Sequence, residues 1–314
     1  MTTSTQEDRV EREILVRSTL TQLAGPRLAK LVASVGEDIT FAEGAVLYRA
    51  GDPAHHLYAL LQGEIELSAP GRLPWLLQNQ SGVGVLEVLT NGPRTFTARA
   101  LTAVHATRVA ADDYFDFLEE RFDLVLGALS RLTTDIHLHS LSLPPDGGFS
   151  LVAPPEPAGA APPAPMSFLR KVQALRDSVA FGRANVQALV RLAAVAREAR
   201  VEEGGTVFRR GEADGRFYLV TEGVVQASRE APAILATFGA GELVCGYGAI
   251  GPADDEYVAT ACTRAAVLVF EEEDFFDVME EHFELTRSVL AGLARDFERL
   301  LLERERRARL GVPI

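Results

Sequence analysis

Along the chain, apolar positions run first at helical spacing and then in short alternating bursts. Leu20, Leu23, Leu28, Leu31 and Val32 recur at the spacing of one helix face. ITFAEG, AVLYRAG, HLYALLQGEIELSA and RLPWLLQNQ follow, with Gly44, Gly51, Gly63 and Gly71 punctuating them. Short strands separated by glycine turns predict a small antiparallel barrel or double-sheet roll. TFTARALTAVHATRVA adds further strand. A helix is then predicted from about Asp112 to Leu141, because Phe115, Leu118, Phe122, Val125, Leu129, Leu132 and Ile136 step by threes and fours.

The scheme then recurs. Glu43 through Gly63 can be laid on Glu203 through Gly223 at a constant offset of 160, with six of 21 positions identical: Glu43, Gly44, Arg49, Gly51, Tyr58 and Gly63. DYFDFLEERFDL (113–124) matches DFFDVMEEHFEL (274–285) at offset 161, with seven of twelve identical. The period is domain-sized, so this is a tandem duplication and not a solenoid. Between the copies lie eight of the sixteen prolines, at 144, 145, 154, 155, 157, 162, 163 and 165. Such a segment is expected to build neither helix nor ladder and to act as an extended linker.

The predicted fold is α+β and mainly β: two antiparallel β-rolls of the double-stranded jelly-roll type, each flanked by helices and followed by a long C-terminal helix. The expected boundaries are an N-terminal helical segment over 1–17, a first domain over 18–141, a Pro/Ala/Gly-rich linker over 142–166, and a second domain over 167–310. The second long helix is expected over about Glu273–Arg309.

Composition narrows the function classes. The chain has 314 residues, 47% hydrophobic and 24% charged, ordinary values for a globular protein with cores to bury. The longest charge-free run, Leu73 to Leu86, is 14 residues and contains Pro74, short of the roughly 20 a spanning helix needs. The formal charge of −13 disfavours DNA as a partner. The start, MTTSTQEDRVERE, lacks the apolar region of a secretory signal, and two cysteines make no disulfide framework. A cytoplasmic protein with two reduced, buried thiols, Cys245 and Cys262, is expected.

No enzyme signature is present, so no catalytic residue is assigned: there is no Gly-x-Ser-x-Gly, Walker-type loop, His-Glu-x-x-His or Rossmann glycine set. His137 and His139 are two apart on a helix and face different ways, so no metal is expected. His55 and His56 are expected at a solvated loop tip. The acidic run Glu271–Asp274 is read as the start of the final helix, where the dipole favours anions. The basic tail ERERRARL (303–310) is read as a solvated helix end.

FAEGAVLYRAGDPAHHLYALLQGEIEL and VEEGGTVFRRGEADGRFYLVTEGVVQAS both resemble the cyclic-nucleotide-binding-domain family, through Gly44, Gly51-Asp52, Tyr58 and Gly63 in the first copy. That resemblance implies a β-roll of the type shared by catabolite activators and protein kinase A regulatory subunits. It also implies a phosphate-binding cassette: Gly-Glu, a short helix, Pro-Arg, a small or hydroxyl residue, then a strand. In that family, backbone amides and the arginine hold the cyclic phosphate and the glutamate binds the ribose.

The first cassette reads VGVLEVLTNGPRTFTARA. Gly84, Pro93 and Arg94 match. Val85 stands where the glutamate belongs, with Leu86 after it, and Glu87 is two residues off register. Thr95 follows the arginine, which in the family goes with guanine, and Phe96 replaces a small residue. The candidate ligand residues are thus Gly84, Val85, Leu86, Arg94 and Thr95, with cyclic AMP or cyclic GMP as the possible ligand and no other cofactor. The second cassette reads LVCGYGAIGPADDEYVATA. Cys245 and Gly246 replace Gly-Glu, and Asp255 or, with a one-residue slide, Glu256 replaces the arginine. Two anions ~4 Å apart repel by roughly 1–4 kcal/mol, so this copy is expected not to bind a cyclic nucleotide.

Many bacterial members are transcription regulators with a helix-turn-helix after the long helix. Here the second long helix is expected to run almost to Ile314, leaving no room for such an output. The long helices carry matching seams, Val125, Leu129, Leu132 and Ile136 against Val289, Leu293, Leu300 and Leu301. They are expected to pair within one chain as a pseudo-dimer, with homodimerisation as the competing outcome. The leading expectation is a non-enzymatic regulatory or scaffold protein that binds another protein through degenerate domains. The alternative is a second-messenger sensor whose first roll binds a cyclic nucleotide and whose second relays the change.

Overall fold

A computed structural model of the chain describes residues 36–78, 81–140, 149–150, 165–209, 215–230, 233–245 and 258–309. The helical segment expected over 1–17, the helical pattern up to Val32 and most of the expected linker lie outside these residues. The chain divides into two compact units, Met1–Arg131 and Leu132–Ile314.

Unit 1 contains β1 (Glu37–Phe41), β2 (Val46–Tyr48), β3 (His56–Gln62), β4 (Ile65–Ser68), β5 (Trp75–Leu77), β6 (Gly82–Val83), α1 (Val85–Thr90), β7 (Thr97–Ala100), β8 (Val104–Ala110) and α2 (Ala111–Glu120). Its strands form two four-stranded antiparallel sheets, β1-β8-β3-β6 and β2-β7-β4-β5. Tyr58, Leu60, Ile65, Leu67, Val83, Phe96, Ala98 and Ala106 fill the space between them. Alternation explains the strand count: in β4 and β7, every second residue is buried. Helix α3 (Phe122–Ser140) follows.

Unit 2 takes in the end of α3 from Leu132 and continues with β9 (Phe149–Ser150), α4 (Phe168–Asp177) and α5 (Val186–Val195). Ser167 and Asn185 cap α4 and α5 through side-chain oxygens that accept from the Arg170 and Ala188 amides at 3.3 and 2.8 Å. Strands β10 (Arg197–Val201), β11 (Thr206–Phe208), β12 (Arg216–Glu222), β13 (Val225–Glu230), β14 (Ala233–Phe238), β15 (Leu243–Cys245), β16 (Val258–Ala261) and β17 (Ala265–Glu271) follow, then α6 (Glu272–Glu281) and α7 (Phe283–Arg309). The sheets are β10-β17-β12-β15 and β11-β16-β13-β14-β9.

The duplication extends to single hydrogen bonds. Gly44 N–H donates to the Ala100 carbonyl at 2.8 Å, and Gly204 N–H to that of Ala261 at 2.8 Å. The register slips between Leu60 and Gln62 in β3, and between Val220 and Glu222 in β12. Gly63 and Gly223 turn the chain at φ +103° and +80°, and a Cβ on either would lie 2.5 or 2.3 Å from the carbonyl oxygen of Ala103 or Arg264. Both positions therefore require glycine twice over, for backbone angle and for space.

Two expectations change. Neither long helix is continuous: α2 is capped at Arg121, whose backbone leaves the helical region (φ −140°, ψ 87°), and α6 is capped at His282 in the same way (φ −133°, ψ 80°). Leaving the helical region interrupts the hydrogen-bond ladder. The chain restarts with Leu124 N–H donating to the Arg121 carbonyl and Leu285 N–H to that of His282, at 2.9 and 2.8 Å. Asp123 and Glu284 then sit in the first turns of the new helices, where the dipole favours an anion. The second change concerns the proline-rich segment. Phe149 and Ser150 form a two-residue strand parallel to β14. They fall in the gap between Pro145 and Pro154, where amide donors are available.

The seam residues Val125, Leu129, Leu132, Ile136, Val289, Leu293 and Leu300 are buried, and Leu301 is half-buried. Among the described residues no helix is long and apolar enough to cross a membrane.

Candidate functional site

In unit 1 the cassette is built between β6 and β7. Gly84 adopts φ +77° and precedes α1, and Asn91 ends that helix at φ +51°. The Gly92 and Asn91 amides close the last turn on the Glu87 and Val88 carbonyls. Pro93 then prevents any continuation and pairs as an isolated bridge with Pro53. Arg94 is tied to the Gly51–Asp52 turn by two backbone bonds, Arg94 N–H to the Asp52 carbonyl at 2.8 Å and Gly51 N–H to the Arg94 carbonyl at 2.9 Å. The Asp52 carboxylate stiffens the same turn by accepting from the Arg49 amide at 2.8 Å.

The Arg94 side chain turns inward and is 4% exposed. Nη1 donates to the Gly84 carbonyl at 3.0 Å, and Nη2 donates to the His56 carbonyl. The guanidinium lies over the Tyr48 ring at 4.1 Å from its centroid. It presses so closely on Gly84 that a Cβ there would lie 2.0 Å from Nη1. Glu87 is also buried, with one carboxylate oxygen 4.0 Å from Arg94 Nη1 and the other accepting from the Thr95 amide at 3.3 Å. Arg94 Nε and the Tyr48 hydroxyl are buried without a hydrogen-bond partner. Burial pushes the Tyr48 phenol well above its ordinary value; the nearby Glu87 charge adds to the rise and Arg94 opposes it.

Of the sequence candidates, the structure brings Gly84 and Arg94 into direct contact. Val85 and Leu86 are half-buried in α1, and Thr95 is exposed, its amide rather than its hydroxyl facing Glu87. Phe96 is buried, 5.2 Å from the Trp75 ring, with the Arg72 guanidinium 4.2 Å over it. Sequence reasoning placed Glu87 only as a near miss. A carboxylate inside the apolar run VLEVL, seven residues before a buried arginine, is the signal for it. The His56 carbonyl and the Tyr48 ring carried no such signal.

In unit 2, Val244 pairs with Tyr218 as Val83 pairs with Tyr58, so Cys245 stands at the register of Gly84. Gly246, Asp255 and Glu256 lie outside the described residues. Cys262 is exposed, contrary to the expected buried thiol, because it falls in the turn between β16 and β17. His56 is likewise not at a loop tip: it opens β3 half-buried, and burial lowers its pKa, while His55 is exposed. His137 and His139 lie on α3, and no group of metal-ligating side chains occurs among the described residues. Glu272, Glu273 and Asp274 fill the first turn of α6, as expected, while Glu271 pairs with Arg197 and Arg216. In the basic tail, Arg306 is paired with Glu303 at 2.7 Å.

Away from the cassette, unit 2 holds a buried carboxyl, Glu242, at the position where unit 1 has Ser81. Glu242 accepts from the Gly239 amide, and burial, aided by the Asp296 charge, raises it to about 7. Asp296 on α7 is raised by burial to about 6, with Arg299 and Arg295 opposing.

Comparison with known families gives a match to the cyclic nucleotide-binding domain over residues 38–121 and 198–282, more than half of the chain. Comparison with curated proteins gives no match. Among solved structures, the regulatory domain of Toxoplasma gondii PKA with cAMP is 18% identical, over 89% of this chain and 94% of that one, with a TM-score of 0.33. The regulatory subunit of a cAMP-independent protein kinase A from Trypanosoma cruzi, bound to guanosine, is 16% identical over 86% and 85%, with a TM-score of 0.33. The N-terminal domain of a transcriptional regulator from Streptomyces coelicolor is 25% identical over 40% and 91%, with a TM-score of 0.34.

Proposed function

The chain belongs to the cyclic nucleotide-binding domain family, with two copies of the domain, and from that premise we propose that it is a non-enzymatic regulatory protein that acts by binding another protein, with neither cassette depending on a nucleotide. The observation that carries this reading is the inward-turned Arg94. Its side chain is spent on the Gly84 and His56 carbonyls and the Tyr48 ring, and the neighbouring anion is Glu87. Val85 offers no acceptor for a ribose hydroxyl. In the aligned sequence of the second copy, Asp255 or Glu256 replaces the cassette arginine, an acid in place of a base.

The sensor reading is the second. What favours it is the cassette backbone, kept from Gly84 through the Asn91 turn to Pro93 and Arg94. Calorimetry of the full chain with cyclic AMP and cyclic GMP separates the two. No heat up to millimolar ligand supports the regulatory reading; saturable heat that Arg94→Ala removes supports the sensor. We further propose a cytoplasmic location and pairing of the long helices within one chain. A crosslink between those helices that ran only as a dimer on a denaturing gel would sink the intramolecular pairing. Binding to DNA would require a steep loss of affinity with salt.

A further inference from the structure

Strand number separates two sheets that otherwise correspond. In unit 1 the sheet β2-β7-β4-β5 ends at β5, whereas in unit 2 its counterpart β11-β16-β13-β14 carries β9 on the outer edge of β14. The two edges match residue for residue. Leu67, Glu66 and Ile65 of β4 face Trp75, Leu76 and Leu77, as Ala227, Gln226 and Val225 of β13 face Ala236, Thr237 and Phe238. Phe149 and Ser150 pair in parallel with Ala236 and Thr237, so the equivalent stretch of β5 is Trp75–Leu76. Among the described residues no strand occupies it.

We propose that the outer edge of β5 docks an extended, proline-free strand of the partner protein, laid parallel to β5 with an apolar residue in register with Leu76. This rests on the reading that the chain acts by binding another protein, and it names the mode. Free edges are commonly blunted by charge, by proline or by a covering segment. The three residues of β5, Trp-Leu-Leu, carry neither charge nor proline. Trp75 and Leu77 pack against the core, which turns Leu76 to the outer face, where it is 52% exposed. Leu73, just before the strand, is also exposed. β9 shows the backbone arrangement that such an edge accepts, and the side chains of β5 give it a different preference. Where β14 offers Ala236 and Thr237, β5 offers Trp75 and Leu76. An added strand therefore gains apolar burial there as well as main-chain hydrogen bonds. Pro74 has no amide donor, which confines the docking stretch to Trp75 and the residues after it.

The probe is a fluorescein-labelled peptide of residues 147–153, GGFSLVA, carrying Ser150→Val to meet Leu76, titrated onto the full chain and read by polarisation. Saturable binding is expected, about tenfold weaker to Leu76→Lys, whose edge charge opposes pairing, and unchanged to Thr237→Lys. A photo-crosslinker at the Phe149 position of the peptide should label β5. No saturable binding overturns the proposal. Binding that Thr237→Lys removes and Leu76→Lys does not also overturns it, because the peptide has then displaced Phe149–Ser150 from β14. A dimer in sedimentation that Leu76→Lys dissociates overturns it as well, because a second copy then fills the edge. If Leu76→Lys does not fold, Leu76→Thr, which installs the residue of the other copy, carries the same expectations. Nucleotide heat in the calorimetry would strike the function proposed above, whereas failure of the peptide without such heat strikes the docking edge alone, so the two failures are distinguishable.

Discussion

The two rolls share a hydrogen-bond plan and differ in what they enclose. In unit 1 the interior holds Tyr48, Tyr58, Phe96 and the half-buried Trp75, with Arg94 against Tyr48 and Arg72 against Phe96. Tyr48, Tyr58 and Phe96 keep aromatic residues at the matching positions of the second copy, Phe208, Tyr218 and Tyr257, the last outside the described residues. Trp75 and Arg94 do not: their counterparts are Ala236 and Asp255. Unit 2 gathers further aromatic mass elsewhere. Phe181, Phe217, Phe270 and Phe275 form a buried cluster, with the Phe217 and Phe275 centroids 4.4 Å apart. The residues matching Phe217 and Phe270 in unit 1 are Leu57 and Val109. One backbone thus supports two interiors, because main-chain ladders and glycine turns define a roll while side chains decide what it can hold.

The contrast can be broken most forcefully at Arg94. Arg94→Ala leaves the buried Glu87 carboxylate without its cation and with the Thr95 amide as its remaining partner, and denaturant unfolding should show unit 1 weakened by about 3–5 kcal/mol. No equivalent loss is expected from Asp255→Ala in unit 2. The shared plan is tested next. Gly63→Ala and Gly223→Ala should each cost roughly 1–3 kcal/mol from backbone strain, plus the overlap with a carbonyl oxygen, and nearly equally in the two units. A large inequality would mean that the turns are alike in geometry but not in consequence.

Acidity distinguishes the units more gently. Glu242 has a folded pKa near 7 and Asp296 near 6, both above their ordinary values through burial. Such acids hold their protons more tightly folded than unfolded. The stability they contribute is full at acid pH and is lost as pH rises through about 6–7. The thermal midpoint should therefore fall between pH 5 and pH 8, and Glu242→Gln should flatten the slope. Unit 1 has Ser81 at the equivalent point, where its carbonyl accepts from Leu60 as that of Glu242 accepts from Val220. The smallest effect belongs to the caps of unit 2. Asn185→Ala removes the bond to the Ala188 amide and should cost about 1 kcal/mol.

Much of the fold was legible in the sequence for a physical reason. Glycines such as Gly63 and Gly223 are required by angle and space together, so they persist in both copies and expose the period. Apolar alternation in segments such as TFTARA marks strands that bury one face. The site was less legible. Arg94 could be placed by its spacing from Gly84, but not the direction of its side chain. That direction depends on the His56 carbonyl, 38 positions away, and on the Tyr48 ring. The helix breaks were hidden because the apolar spacing continues across Arg121 and His282 while the backbone does not. Cys262 was misplaced because a thiol's usual burial says nothing of the turn in which this one stands.

The interruptions at Arg121 and His282 also carry a chronology. They occur at matching places, 161 residues apart, with the same backbone angles to within about ten degrees. An irregularity present in both descendants was inherited, so the ancestral single module already had a broken helix when its gene was copied. The bond between Glu87 and the Thr95 amide has no such twin, since the matching residue is Gly248. A bond found in one copy fixes no such order, because its loss from the other copy leaves the same trace. The doubling thus dates the paired features of this chain, and only those, to the single module.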